Sequence, residues 1–304
     1  MAMSGLVIPA RLASTVVSWE GERGRAWLEA LPSLVAEVAA RWDLAVGAPF
    51  EPGGNISWVA PVRVRSQRVD AVLKLQHPHP ESDPEALGLA AWAGVGAVEL
   101  FAHDPEHHAL LIERCEPGGA LLDRDGALDA VHAAAAVGAQ LHAALPPAGL
   151  STLAVRLAAW ADELETRLAA RAFVDPGLES QALATMRERP AACPVPVLLH
   201  GDLNPTNVLA AQRAPWLAID PKPMVGDPAY DGPRLVLQPP PFDTATLMAR
   251  LDTVADAMGV DREALVDWCL VDAIEIGSAA RHHDDDATAT ANAHVVDLLA
   301  PLVS

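Results

Sequence analysis

The sequence predicts an α+β chain in two lobes, a small N-terminal lobe with an antiparallel sheet and a larger, mainly helical C-terminal lobe. Three observations carry this prediction. The chain has 304 residues, more than one hydrophobic core usually organises. Its first third alternates helical apolar spacing with two pairs of short β-rich runs. Beyond Pro117-Gly118-Gly119, long helical stretches dominate. The lobe boundary falls near residues 113–119, giving lobes of residues 1–115 and 116–304.

Residues 22–42 read as a helix, because Trp27, Leu28, Leu31, Leu34, Val35 and Val38 recur at helical spacing. Pro32 is expected to kink or split it. The run PFEPGGN at 49–55 is turn chemistry. Residues 56–64 and 69–75 are β-rich and flank Ser66-Gln67-Arg68, as in a hairpin. Asp83-Pro84-Glu85 opens a second helix, with Asp83 as cap, which runs to about Ala93 and stops at Gly94. Residues 98–102 and 109–113 form a second strand pair around the polar segment 103–108. In the second lobe, Leu128, Val131, Ala135, Leu141 and Leu145 fit one helix. Leu153, Leu157, Trp160, Leu164 and Leu168 mark a cleaner amphipathic one, and residues 177–187 a third. Short β signals return at 195–199, 207–210 and 216–219, and the chain is again helical from Phe242 onwards.

Composition narrows the function classes. Forty acidic residues against 21 basic ones give a net charge of −19. Such a chain repels nucleic acid and anionic membrane surfaces. A hydrophobic fraction of 51% excludes disorder. The acid excess fits a cationic partner or plain solubility equally well. Three cysteines, Cys115, Cys193 and Cys269, are too few and odd for a disulfide framework, so a reducing cytoplasm is expected. Residues 1–13 lack the long apolar core of a signal peptide. The least charged stretch, 131–155, is broken by His132, Gln140, His142, Pro146 and Pro147, so no membrane span is expected.

The most informative segment is His200-Gly201-Asp202-Leu203-Asn204-Pro205-Thr206-Asn207, followed 13 residues after Asn207 by Asp220 at the end of an apolar run. Alone, an Asp after Gly or an Asn before a strand is usually a turn residue. Together they match what phosphoryl transfer requires. One carboxylate, Asp202, accepts the proton of the attacking hydroxyl, while an amide oxygen (Asn207) and a second carboxylate (Asp220) hold Mg²⁺ against a triphosphate. Upstream, Lys74 sits inside the apolar strand Ala71–Leu75. A charge there needs a partner or a solvated edge. The expected partner is Glu85, with Glu81 second. Gly53, Gly54, Asn55 and Ser57 precede and open the hairpin, where backbone N–H groups suit phosphates. Glu113 and Cys115, at the lobe junction, are candidate backbone contacts to adenine.

On these residues the chain resembles the aminoglycoside phosphotransferases, and most closely their streptomycin phosphotransferase/hydroxyurea kinase branch. The motifs are Gly24-Arg25-Ala26-Trp27 with Leu31-Pro32, Leu73-Lys74-Leu75-Gln76, Leu111-Ile112-Glu113-Arg114, residues 200–209, Trp216–Pro221 and Gly226-Asp227-Pro228-Ala229-Tyr230-Asp231. They extend from about residue 20 to 235. The resemblance implies a two-lobed, protein-kinase-like fold that binds ATP in its cleft and phosphorylates a small-molecule hydroxyl. It implies Asp202 as catalytic base, Asn207 and Asp220 as Mg²⁺ ligands and Lys74 as the phosphate-binding lysine. Asp220 is followed by Pro221 rather than Phe-Gly, and the glycine loop departs from G-x-G-x-x-G.

Several further residues have competing readings. Asp227 is expected to cap and brace the helix that starts near Pro228. Asp231 stands between that role and substrate contact. His200 is expected to brace the catalytic loop, and Tyr230 to pack. The run His282–Asp286 reads as a solvated acidic loop rather than a metal site. The resemblance makes Asp272 and Glu275, on a C-terminal helix, candidate substrate acids. The expected activity is ATP- and Mg²⁺-dependent phosphorylation of streptomycin or a related cationic aminocyclitol. The rivals are a kinase of hydroxyurea or an amino sugar, and a nucleotide-binding regulatory protein without turnover.

Overall fold

The computed structural model describes residues 5–79, 84–124, 128–240 and 243–303. The chain forms two compact units, residues 1–94 with 98–116, and residues 95–97 with 117–304.

The first unit opens with α1 (Ala10–Arg41), which starts 12 residues before the expected helix. Its break lies at Gly21, where φ is 56° and ψ −124°, and not at Pro32. Only glycine adopts that backbone freely. The two arms pack closely, with Leu12 and Val16 buried on one and Trp27, Leu31, Val35 and Val38 on the other. A Cβ on Gly24 would lie 2.4 Å from the Val16 carbonyl oxygen.

The unit's sheet contains β1 (Leu44–Val46), β2 (Ser57–Val64), β3 (Val69–Gln76), β4 (Leu100–Asp104) and β5 (Ala109–Glu113). Their order is β1-β2-β3-β5-β4, all antiparallel. The β2–β3 hairpin runs in register from Ser57↔Gln76 to Val64↔Val69. Strand β4 begins two residues later than expected and pairs through an irregularity between Leu100 and Ala102. Helix α2 (Glu85–Trp92) ends in a left-handed Ala93. Asp83 and Glu81, the expected cap and the alternative lysine partner, lie outside the described residues, as does Phe242. The core joins the buried α1 residues to Trp58, Ala60, Leu73 and Leu75 of the sheet.

The second unit carries α3 (Leu128–His142), α4 (Leu153–Ala170), α5 (Pro176–Ala192), α6 (Pro233–Leu237), α7 (Thr244–Met258), α8 (Arg262–His282) and α9 (Asp286–Leu299). Leu145 falls beyond α3 and is 87% exposed, so it is not part of that helix's core stripe. Helix α5 starts one residue earlier than expected, where Asp175 caps it and Pro176 occupies its first turn, and runs five residues further, to Ala192. The segment between α8 and α9 is short, and Asp285 caps α9 by accepting from Thr288 N at 3.1 Å. Four three-residue strands, β6 (Val197–Leu199), β7 (Val208–Ala210), β8 (Trp216–Ala218) and β9 (Met224–Gly226), form two antiparallel pairs, β6–β9 and β7–β8. They frame residues 200–207 and 219–223. Among the described residues, no helix is long and apolar enough to cross a membrane.

Gly24→Ala is expected to destabilise the chain by about 1–3 kcal/mol, since the added methyl meets a backbone oxygen rather than a movable side chain. Chemical denaturation checks this. An unchanged midpoint would show that the arms of α1 are not locked together at Gly24.

Candidate active site

In the first unit, Lys74 lies on β3 between β2 and β5, opposite Val59 and Leu110. It is only 5% exposed, so the solvated-edge reading does not hold. Its Nζ stands 2.6 Å from Glu85 Oε2, and Gln76 Nε2 donates to the same oxygen at 2.7 Å. A buried ammonium and carboxylate are each tolerable only with the other present.

The loop before β2 is shaped by packing. Gly53 has φ +80°, and a Cβ there would lie 3.0 Å from the Pro9 ring. A Cβ on Gly54 would lie 2.9 Å from Ser57 O. Asn55 Oδ1 accepts from Arg11 Nε at 3.0 Å. Ser57 starts β2 and is 6% exposed. The Glu113 backbone N–H donates to Glu99 O at 2.8 Å, so that N–H is already engaged. Cys115 is half-buried and is not in a disulfide.

In the second unit, the loop after β6 is pinned from three sides. Asp231 Oδ2 accepts from His200 N at 2.8 Å and lies 2.9 Å from His142 Nε2, while Oδ1 accepts from Gly201 N at 2.8 Å. His200, fully buried, sets its Nε2 3.1 Å from Ile219 O and its Nδ1 3.3 Å from the Asp202 N–H. Lys222 N donates to His200 O at 2.8 Å. Gly201 has φ +77°, and a Cβ there would lie 2.1 Å from Lys222 O.

This scaffold presents Asp202 with its side chain 27% exposed. Asn204 Nδ2 donates to both the carbonyl and Oδ1 of Asp202 at 3.1 Å, and Asn204 Oδ1 accepts from Thr206 N at 2.9 Å. Asn207 Nδ2 donates to Asp202 O at 3.0 Å. The amide nitrogen of Asn207 is thereby committed, and Oδ1 is the atom that could hold a metal ion. Ile219 N donates to Asn207 O at 2.9 Å, extending the β7–β8 ladder by one pair. Asp220 follows with φ 57°, a left-handed conformation that strains a residue with a Cβ by about 1–3 kcal/mol. Such strain persists where the surroundings dictate it. An amide oxygen and a carboxylate held on adjacent strand ends are hard oxygen donors, and they fit Mg²⁺.

Of the remaining acids, Asp227 takes the capping role expected of it, while Asp231, Asp272 and Glu275 are each already engaged by other groups. Asp231 is 3% exposed with both oxygens engaged, so it braces the loop and does not contact substrate. Asp227 caps the turn at Pro228–Asp231 through Ala229 N at 3.0 Å, and its Oδ2 accepts from Trp268 Nε1 at 2.9 Å. Tyr230 is buried edge-on against Trp268, 5.2 Å between ring centroids. Asp272 Oδ1 accepts from Arg234 Nε at 2.6 Å, and Glu275 Oε1 from Arg167 Nη2 at 2.9 Å. Neither acid is a bare charge. Burial raises Asp272 above the ordinary carboxylate value despite Arg234, and the negative charges of Glu275 and Asp202 act in the same direction. Arg234, Asn204, His142 and Lys222 were not singled out in the sequence. Only Lys222, between two prolines after Asp220, carried a local signal.

Burial lowers the His200 pKa below its ordinary value of 6.5, against the pull of Asp231, Asp202 and Asp220. The unfolded chain therefore takes up a proton near pH 6.5 that the folded chain refuses, and stability falls as pH drops through that value. Burial opposes ionisation of Asp231, but His142 and the backbone donors outweigh it and lower its pKa. Its contribution is present above the ordinary carboxylate range and is lost only in stronger acid. Melting temperature is expected to decline from pH 7.5 to 5.5, and His200→Gln to flatten that decline. A wild-type curve without slope over this range would contradict the burial of a neutral His200.

The profile of the aminoglycoside/hydroxyurea antibiotic resistance kinases matches residues 41–286. The streptomycin 6-kinase of Streptomyces glaucescens is 36% identical over 88% of this chain and 89% of its own. The hydroxyurea phosphotransferase of Kitasatospora aureofaciens is 39% identical over 86% of this chain and 77% of its own. Among solved structures, the choline kinase LicA of Streptococcus pneumoniae superposes with a TM-score of 0.61 at 14% identity, covering 90% of this chain and 99% of that one, which supports the protein-kinase-like fold. With matches of this extent, the chain belongs to the aminoglycoside/hydroxyurea antibiotic resistance kinase family.

Proposed function

We propose that the chain is an ATP- and Mg²⁺-dependent O-phosphotransferase whose acceptor is streptomycin or a related aminocyclitol. The observation that most supports this is the arrangement of Asp202, Asn207 and Asp220 on one pinned loop and the hairpin that follows it. Asp202 accepts a hydrogen bond from the acceptor hydroxyl and takes its proton as the new O–P bond forms. Asn204 fixes the carboxylate by its hydrogen bond to Oδ1. Asn207 Oδ1 and Asp220 would hold Mg²⁺, which supplies neutralisation of phosphate charge when bound. Lys74, held by Glu85, binds phosphate oxygens of ATP. The backbone around Gly53, Gly54 and Asn55, the Glu113 carbonyl and the Cys115 N–H complete the nucleotide contacts in this reading. Asp272 and Glu275, with their arginines, belong to the acceptor side.

The acceptor assignment draws on the streptomycin 6-kinase relative. The hydroxyurea phosphotransferase is the more identical of the two relatives, at 39% against 36%, so hydroxyurea is the second reading. ADP release measured with streptomycin, hydroxyurea and amino sugars separates them. Release with streptomycin is expected, and release with hydroxyurea alone would overturn the first choice. Asp202→Ala should leave ATP affinity intact and lower kcat by about 10²–10⁴-fold, the usual contribution of a general base. Wild-type turnover in that variant would refute the mechanism.

A further inference from the structure

We propose that Lys222 is a catalytic residue whose ammonium contacts the transferring phosphoryl group beside Asp202. The inference rests on the phosphotransferase reading above and adds a residue to it. Three observations lead to it.

The first is position. Lys222 Nζ lies 3.7 Å from Asp202 Oδ2, with the two side chains 37% and 27% exposed. At that separation the contact is electrostatic, beyond hydrogen-bond length. The ammonium therefore sits where an attacking hydroxyl, bonded to Asp202, meets phosphorus.

The second is rigidity. Lys222 stands between Pro221 and Pro223, and a residue before proline is confined to extended backbone. Its N–H is bonded to His200 O at 2.8 Å, and its carbonyl lies so close to Gly201 that a Cβ there would approach to 2.1 Å. The same contacts that position Asp202 thus position Lys222. The backbone that carries the ammonium is thereby fixed beside Asp202, while the flexible stem leaves the charge free to adjust.

The third is composition. Of the 21 basic residues, 19 are arginine and two are lysine, Lys74 and Lys222. Several exposed acids among the described residues, Asp70, Glu165 and Asp252 for instance, pair with arginine. Lysine differs in being a compact, strongly hydrated point charge with three rotatable donors, whereas guanidinium is a planar fork. One of the two lysines is already the buried partner of Glu85 and the candidate phosphate ligand. The other lies next to the candidate base. Their shared requirement is a small cation able to follow phosphate oxygens as they move.

In the step itself, the acceptor oxygen forms a bond to the γ-phosphorus as the bond from phosphorus to the β-bridging oxygen breaks. ADP leaves with that electron pair, and the hydroxyl proton passes to Asp202. Lys222 keeps its proton and turns its N–H donors from Asp202 to an equatorial phosphoryl oxygen, where charge is spread in the transition state.

The test compares wild type with Lys222→Met, Lys222→Arg and Asp202→Ala, using the acceptor that gives ADP release. Affinities are measured for Mg·AMP-PNP and, with acceptor present, for Mg·ADP–aluminium fluoride, a mimic of the phosphoryl in flight. Lys222→Met should lower kcat by about 10²–10³-fold, the usual effect of losing one transition-state donor. It should weaken the aluminium fluoride complex and leave AMP-PNP affinity and melting temperature unchanged. Lys222→Arg should recover turnover only in part. Normal kcat in Lys222→Met would overturn the inference. So would equal weakening of both nucleotide complexes, or a fall in melting temperature matching the loss of activity, since either makes Lys222 a brace of the loop. If Asp202→Ala abolishes turnover while Lys222→Met does not, this inference alone fails. If wild type releases no ADP with any acceptor, the phosphotransferase reading fails with it.

Discussion

The candidate catalytic segment depends on one buried carboxylate. Asp231 receives the backbone N–H groups of His200 and Gly201 and faces His142 Nε2. Residues 200–202 lie outside any helix or strand, so their backbone groups need partners from elsewhere in the fold. Asp231 provides two of them with one ionised group, and hydrogen bonds to a charge are the stronger kind. Removing that carboxylate would leave two buried donors and a histidine without their acceptor. The place from which Asp202 emerges is therefore set 29 residues downstream, at the end of the turn Pro228–Asp231.

Strain and close approach follow from that anchoring. With residues 200–201 held, the segment 219–222 has to pass against them. Gly201 permits the approach, since any side chain there would collide with Lys222 O. On the other side, Ile219 is tied through its N–H to Asn207 and through its carbonyl to His200. Asp220 lies between these two fixed points and takes a left-handed backbone as the connection that remains. Its conformation is thus a consequence of two strand ends and a loop fixed independently.

Much of this was legible from residue types. Lys74 within Ala71–Leu75 announced either a buried pair or a solvated edge, and Glu85 is the partner that decides between them. Asp202, Asn207 and Asp220 were legible because their spacing spans one loop and one hairpin. What stayed hidden depended on direction or on distant partners. Asp227 and Asp231 share one short turn, yet the first closes its own turn while the second reaches back to residue 200. The first arm of α1 was missed because its buried stripe is only Leu12 and Val16, too little period to read. Strands β1 and β9, three residues each, leave no alternation at all. The pair Arg234–Asp272 joins residues 38 apart, which no local pattern encodes.

The net charge of −19 reads differently once these pairs are placed. The acids expected to attract a cationic acceptor, Asp272 and Glu275, each carry an arginine, and Asp267 pairs with Arg189. A cation entering there competes with a guanidinium already in place. Much of the remaining acid lies on exposed surface, where attraction is weakened by water and salt. Charge therefore draws an acceptor toward the molecule more than it selects one. In the mechanism proposed above, selection falls to the placement of a hydroxyl against Asp202, whose carboxylate Asn204 orients and Lys222 faces. A family that phosphorylates compounds as unlike as streptomycin and hydroxyurea is understandable on that basis, because the fixed element is the geometry around one carboxylate and the charge of the acceptor is secondary.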